Sequence, residues 1–65
     1  MNSVILLQDF INKARHNIES LSLELTKHPV DTKEGIVKIK AIRYNLTHIY
    51  NLLKLEESLE KEKAS

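Results

Sequence analysis

The chain has 65 residues and a mass of 7.5 kDa, which is enough for one small domain. Hydrophobic residues make up 42% and charged residues 29%, so the composition excludes both a disordered chain and a membrane-spanning protein. The net charge of +1 favours no class of partner, and the absence of Cys with only one Gly and one Pro excludes a disulfide framework, a thiolate metal site and a glycine-rich phosphate loop.

The first predicted element is an amphipathic helix over about residues 3–27. Its apolar residues recur at alternating spacings of three and four, which keeps them on one face of a helix. Pro29 disfavours helical geometry at His28 and has no N–H to continue the hydrogen-bond ladder, so the helix is predicted to end before it. The stripe consists of Val4, Leu7, Ile11, Ala14, Ile18, Leu21 and Leu25.

The second predicted element is a helix over about residues 32–60, which follows a turn at about residues 28–31. Asp31 is predicted to cap this helix, with Glu34 three residues later as in a capping box. Gly35 marks either a weak point or a place of close approach. Because the connection is short, the two helices should be antiparallel neighbours, and the charged tail that follows should fray. A second alternating stripe consists of Ile39, Ile42, Leu46, Ile49 and Leu53.

The two helices carry more apolar residues than one helix pair can bury. The sequence therefore predicts an all-α fold, in which an antiparallel two-helix hairpin spanning the whole chain as one domain assembles into a homo-oligomeric helical bundle. The predicted interface between copies comprises Val4, Leu7, Ile11, Ile18, Ile42, Leu46, Ile49 and Leu53.

Positive charge is concentrated in residues 27–43. Five Lys and Arg against two acidic residues give this segment +3, whereas the segments 1–26 and 44–65 each sum to −1. The start of the second helix lies in the same segment and favours anions through its free N–H groups and dipole. A phosphate-bearing ligand is one interpretation, and an ordinary solvated face is the other. Arg43 and Tyr44 are adjacent, and together they suit a phosphate and a base, although Tyr44 is equally suited to packing.

No group of residues predicts chemistry at a reactive centre. His16, His28 and His48 lack metal-ligand spacing, and a helical hairpin offers no strained turn to activate a nucleophile. We therefore predict no enzyme activity, no catalytic residue, no metal and no cofactor. In the absence of a targeting or membrane segment, the predicted location is the cytoplasm.

The region from about Asp9 to Leu53 resembles the helical-hairpin sponge proteins with which phages counter cyclic-nucleotide immune signalling (the anti-CBASS hairpin domain shared with anti-Thoeris proteins). The resemblance rests on an amphipathic first helix that ends near Leu25-Thr26-Lys27, a short turn and an apolar second helix. It implies a small oligomer that holds cyclic di- or trinucleotides between subunits. It further implies that Phe10 stacks on a base and that Thr26 and Lys27 bind phosphate, to which we add Arg43 from the second helix. With Tyr44, the predicted ligand-binding set is Phe10, Thr26, Lys27, Arg43 and Tyr44.

Two other functions fit the same pattern. The first is a phage or plasmid regulator whose helical faces dock on a host protein. The second is an RNA-binding four-helix dimer that resembles the plasmid copy-number regulator Rop. The clustering of the basic residues in one stretch neither supports nor excludes this function, so nucleic acid is a partner that the sequence allows but does not favour.

Overall fold

The computed structural model of the chain is a hairpin of two α-helices, α1 (Ser3–Glu24) and α2 (Thr32–Ala64). The structure describes the backbone of residues 3–64 and the side chains of residues 4–62, and no strand occurs in that part of the chain. The two helices pack along their length into a rod of 56 × 16 × 13 Å. This confirms an all-α fold built from two helices in contact.

The connection between the helices is longer than the sequence suggests, because α1 ends at Glu24 and not near residue 27. After Glu24 the chain tightens: Thr26 N–H donates to the Leu23 carbonyl at 3.2 Å and Lys27 N–H to the Glu24 carbonyl at 3.2 Å. Bonds of this shorter spacing are common where a helix terminates. Leu25, the last residue of the predicted stripe, therefore lies just outside α1.

The start of α2 shows the predicted cap. Asp31 Oδ1 accepts a hydrogen bond from Glu34 N–H at 3.1 Å, and the Asp31 carbonyl accepts one from Gly35 N–H at 2.9 Å. The Glu34 carboxylate accepts from Lys38 Nζ at 2.9 Å, so it takes part in an ion pair along α2. A Cβ on Gly35 would meet nothing within 4 Å, so no other part of the described chain approaches it closely.

The end of α2 lies beyond the predicted end at about residue 60, because the helix continues to Ala64. Glu57 in the charged tail pairs with Lys54 at 3.3 Å and with Lys61 at 3.7 Å. Pairs at spacings of three and four stabilise a helix modestly. The tail that the sequence predicts to fray is therefore helical in the structure.

The contact surface between the helices is narrow and partly polar. Ala14, 6% exposed, is the buried apolar residue of the described core, whereas Asn45 and Glu24 are buried polar residues. Asn17 Nδ2 donates to Asn45 Oδ1 at 2.8 Å across the contact. Phe10 stacks on His48 across the same contact. From Phe10 to Asn17 the residue numbers on α1 increase, while those of their partners on α2 decrease from His48 to Asn45, so the helices are antiparallel.

Only part of the predicted apolar stripe of α1 is therefore buried against α2. Leu7, Ala14 and Leu21 are buried or half-buried, whereas Val4 and Ile18 stay more than half exposed at 62% and 51%. The helix is rotated so that Phe10, Asn17 and Glu24 share the contact, since residues seven apart lie on nearly the same side.

Eight of the remaining apolar side chains lie on one flank of the hairpin, which we call the apolar face. On α1 these residues lie next to the contact between the helices, on the side away from Asn17. On α2 they lie next to the same contact, on the side away from His48. In an antiparallel pair these two flanks lie on the same face of the hairpin. Nearly all of the predicted interface belongs to it, while Leu7 faces α2. The apolar face consists of Val4, Ile11, Ile18, Ile39, Ile42, Leu46, Ile49 and Leu53.

The opposite face, which we call the polar face, carries Phe10, Asn17 and His48 together with the exposed apolar residues Val37 and Leu55. Neither of the two described helices combines the length and the apolarity that crossing a membrane requires.

Candidate functional site

An aromatic cluster lies on the polar face of the hairpin. The rings of Phe10 and His48 are stacked, with centroids 4.7 Å apart and planes within 2°. Tyr44 meets His48 edge-on at 4.4 Å, and Lys13 Nζ lies 5.4 Å from the centroid of Phe10. Because His48 covers a face of Phe10, a base could stack there only by displacing a neighbour. Tyr44, which is 63% exposed, is the aromatic residue of this cluster that is open to a ligand.

Two predicted phosphate ligands at the end of α1 already have partners. Thr26 Oγ1 donates to the Leu23 carbonyl at 2.7 Å, and Lys27 Nζ lies 3.1 Å from Glu24 Oε1. Glu24 is only 3% exposed, and its second oxygen has no hydrogen-bond partner among the described residues. Lys27 therefore offsets a buried charge, and a phosphate would compete with that carboxylate for its ammonium group.

The predicted ligand-binding residues do not form one site within a single chain. Phe10 and Glu24 are separated by fourteen residues of α1, about 21 Å at the rise of an α-helix. The aromatic cluster thus lies far along the rod from Thr26 and Lys27. It does include Tyr44, which follows Arg43 directly.

The first half of α2 carries an uncompensated group of cations, which we call the cationic patch (Lys33, Lys40 and Arg43, beside Tyr44). No hydrogen bond or ion pair within the described side chains involves any of the three cations. Lys40 and Arg43 are three residues apart on one side of α2, so they repel each other. A bound anion would relieve this repulsion. By contrast, a carboxylate lies within 4 Å of each of Lys13, Lys27, Lys38, Lys54 and Lys61.

The predicted ligand-binding set includes Arg43 but not the other two cations of the patch, Lys33 and Lys40. A local signal was available, because none of the three cations has an acidic residue three or four positions away. The ion pairs of Lys13, Lys27, Lys38, Lys54 and Lys61 all use these spacings. An acidic residue three or four positions away therefore distinguishes the paired lysines from the three cations of the cationic patch.

A shallow groove of about 320 Å³ lies beside the Asn17–Asn45 hydrogen bond. The ion pair of Asp9 and Lys13, 3.0 Å between Oδ2 and Nζ, forms part of its wall. None of the predicted ligand-binding residues lines this groove. Its lining consists of Asp9, Asn12, Lys13, His16, Asn17 and Asn45.

Comparison with protein-family models, with curated proteins and with solved structures finds no match for the chain. The likeness to the phage sponge proteins remains a hypothesis that rests on the sequence pattern. Among the described residues, no three His, Asp or Glu side chains come together in a way that could hold a metal ion.

Proposed function

We propose that the protein is a non-enzymatic cytoplasmic binding protein that sequesters an anionic nucleotide and acts as a homo-oligomer. The observation that carries this proposal is the cationic patch, whose three cations make no ion pair with another described side chain. Lys40 and Arg43 lie within about one helical turn of the exposed Tyr44, and Lys33 lies two turns before Lys40. Cyclic di- and trinucleotides combine two or three phosphates with flat bases, so they match both parts of the patch. A phage-encoded sponge against immune signalling is the biological setting that the sequence resemblance suggests.

Each residue of the patch has a separate role in this proposal. Arg43 grips a phosphate with two parallel N–H groups, a geometry that the guanidinium group favours. Lys33 and Lys40 add positive charge one heptad apart along the same side of α2. Tyr44 provides the ring on which a base stacks, which is worth roughly 1–3 kcal/mol per base.

Self-association is the remaining part of this proposal. The uncovered apolar face supports it, since large apolar surfaces on a small protein are typical of interfaces. Thr26 and Lys27 lie far along the rod from Phe10 and Tyr44, so the proposed site does not include them.

The experiment is a calorimetric titration of the protein with cyclic di- and trinucleotides. Arg43→Ala should weaken binding by roughly 1.5–3 kcal/mol, the scale of a hydrogen bond to a charged group, while the circular dichroism spectrum is unchanged. Arg15→Ala is the matched control, because Arg15 is also exposed and unpaired among the described residues but lies on α1. If neither nucleotide class binds below about 10 μM, the nucleotide proposal is wrong.

The apolar face favours a second candidate function, docking on a host protein through helical faces. An RNA hairpin added to the same titration covers the Rop-like alternative, which should show binding that falls steeply with salt. A host protein that binds the apolar face, together with no nucleotide or RNA binding, would favour the regulator.

A further inference from the structure

The apolar face exposes large apolar side chains from both helices. Leu46, Leu53 and Ile39 are 52%, 53% and 45% exposed. The chain exposes 5357 Å² in total. A folded monomer of its mass is expected to expose roughly 4,250 Å², so about 1,100 Å² is in excess. A stable protein–protein interface buries about 800 Å² on each partner, so the excess over the whole chain is large enough for one such interface. The apolar face is the flank on which exposed apolar residues of both helices adjoin, so we place the interface there.

We propose that a second copy of the same chain covers this face, and that the two hairpins run antiparallel about a twofold axis perpendicular to the rod. The product is a four-helix bundle in which α1 packs on α1 of the other copy and α2 on α2. The proposal rests on the self-association in the proposed function and specifies its partner, surface and direction. It does not depend on the ligand.

The position of the axis follows from the register of the hairpin. Phe10 meets His48 and Asn17 meets Asn45, so paired residues of the two helices have numbers that add to about 60. The residues of α1 therefore lie beside about residues 36–57 of α2. The middle of this paired region is at Ala14 on α1 and Leu46 on α2. A perpendicular axis through that level brings Leu46 against Leu46 of the other copy.

Charge selects the antiparallel direction over the parallel one. In a parallel pair, the two segments of residues 27–43, each with +3, would lie side by side. In the antiparallel pair, each of these segments lies at the level of the segment 44–65 of the other copy, which sums to −1. Opposite charges across an interface fix its direction more than they add to its affinity.

A mass measurement by sedimentation, with no nucleotide present, tests the partner. At tens of micromolar the chain should sediment at twice its mass of 7.5 kDa. Leu46→Asp should weaken dimerisation by roughly 100-fold or more, because two uncompensated carboxylates would meet at the axis. Val37→Asp is the matched control: Val37 is 59% exposed on the same helix but lies on the side opposite Leu46, so the dimer should persist. A chain that sediments as a folded monomer, or as a trimer or larger assembly, would overturn the proposal.

Single cysteines test the direction even if a charged variant fails to fold. Under mild oxidation, Leu46→Cys should form a disulfide-linked dimer at ten or more times the yield of His28→Cys. His28 lies in the turn, and the two turns are at opposite ends of a 56 Å rod in the antiparallel arrangement. Cross-linking through the turn but not through residue 46 would show parallel hairpins and contradict the proposal. Dimerisation without nucleotide binding would leave this arrangement standing while the proposed function fails.

Discussion

Asn17 and Asn45 form a hydrogen bond across the helix contact, and we expect the substitutions Asn17→Leu and Asn45→Leu to lower the stability of the protein by different amounts. Leucine is close to asparagine in shape and cannot hydrogen-bond, so each variant removes one bond of 2.8 Å and leaves the partner unpaired. Asn45 is 5% exposed, whereas Asn17 is half-buried. Removing Asn17 therefore leaves the carbonyl of Asn45 without its protein partner at a position that is almost fully buried.

The expected magnitudes follow from this difference in burial. A buried polar group without a partner costs about 1–3 kcal/mol, so Asn17→Leu should lower the free energy of unfolding by an amount in that range. Asn45→Leu should cost less than about 1 kcal/mol, since Asn17 can turn to water and the new leucine buries apolar surface. The double variant should be nearly as stable as the parent chain, because no polar group is left unpaired.

The measurement is thermal unfolding followed by circular dichroism at one fixed protein concentration, since self-association makes the midpoint concentration-dependent. For a chain of this size, 1 kcal/mol corresponds to about 4–8 °C in the unfolding midpoint. Equal losses for the two single variants, or a double variant less stable than either, would refute the reasoning. It would show that the amide pair is open to water or that the helices have another register.

Two further substitutions test the start of α2. Gly35→Ala should raise the free energy of unfolding by about 0.5–1 kcal/mol in a denaturant titration, because alanine favours the helix and its Cβ meets nothing within 4 Å; a loss of stability would instead show that another copy approaches the backbone there. Asp31→Ala should lower it by about 1 kcal/mol, since the bond to Glu34 N–H is lost, and an unchanged unfolding midpoint would contradict the observed cap.

Local sequence determined the elements of this protein. The alternation of apolar residues predicted both helices, Pro29 placed a break between them, and Asp31 correctly marked the cap of α2. Each of these signals acts within one or two helical turns, so it can be seen without knowing the fold. The lack of a carboxylate near each cation of the cationic patch is also a local signal, because ion pairs along a helix join residues three or four apart.

Only the tertiary structure decided which side of each helix faces inward. The apolar stripe of α1 is wider than a single helix contact, so periodicity alone allows several rotations of the helix. The observed rotation pairs Asn17 with Asn45 and stacks Phe10 on His48, and Ile18 is left exposed in consequence. The partners of these contacts lie 28 and 38 positions apart in the chain, and a buried amide is tolerated only where a matching group meets it. No local pattern contains that match, which arises only when the two helices come together in one register.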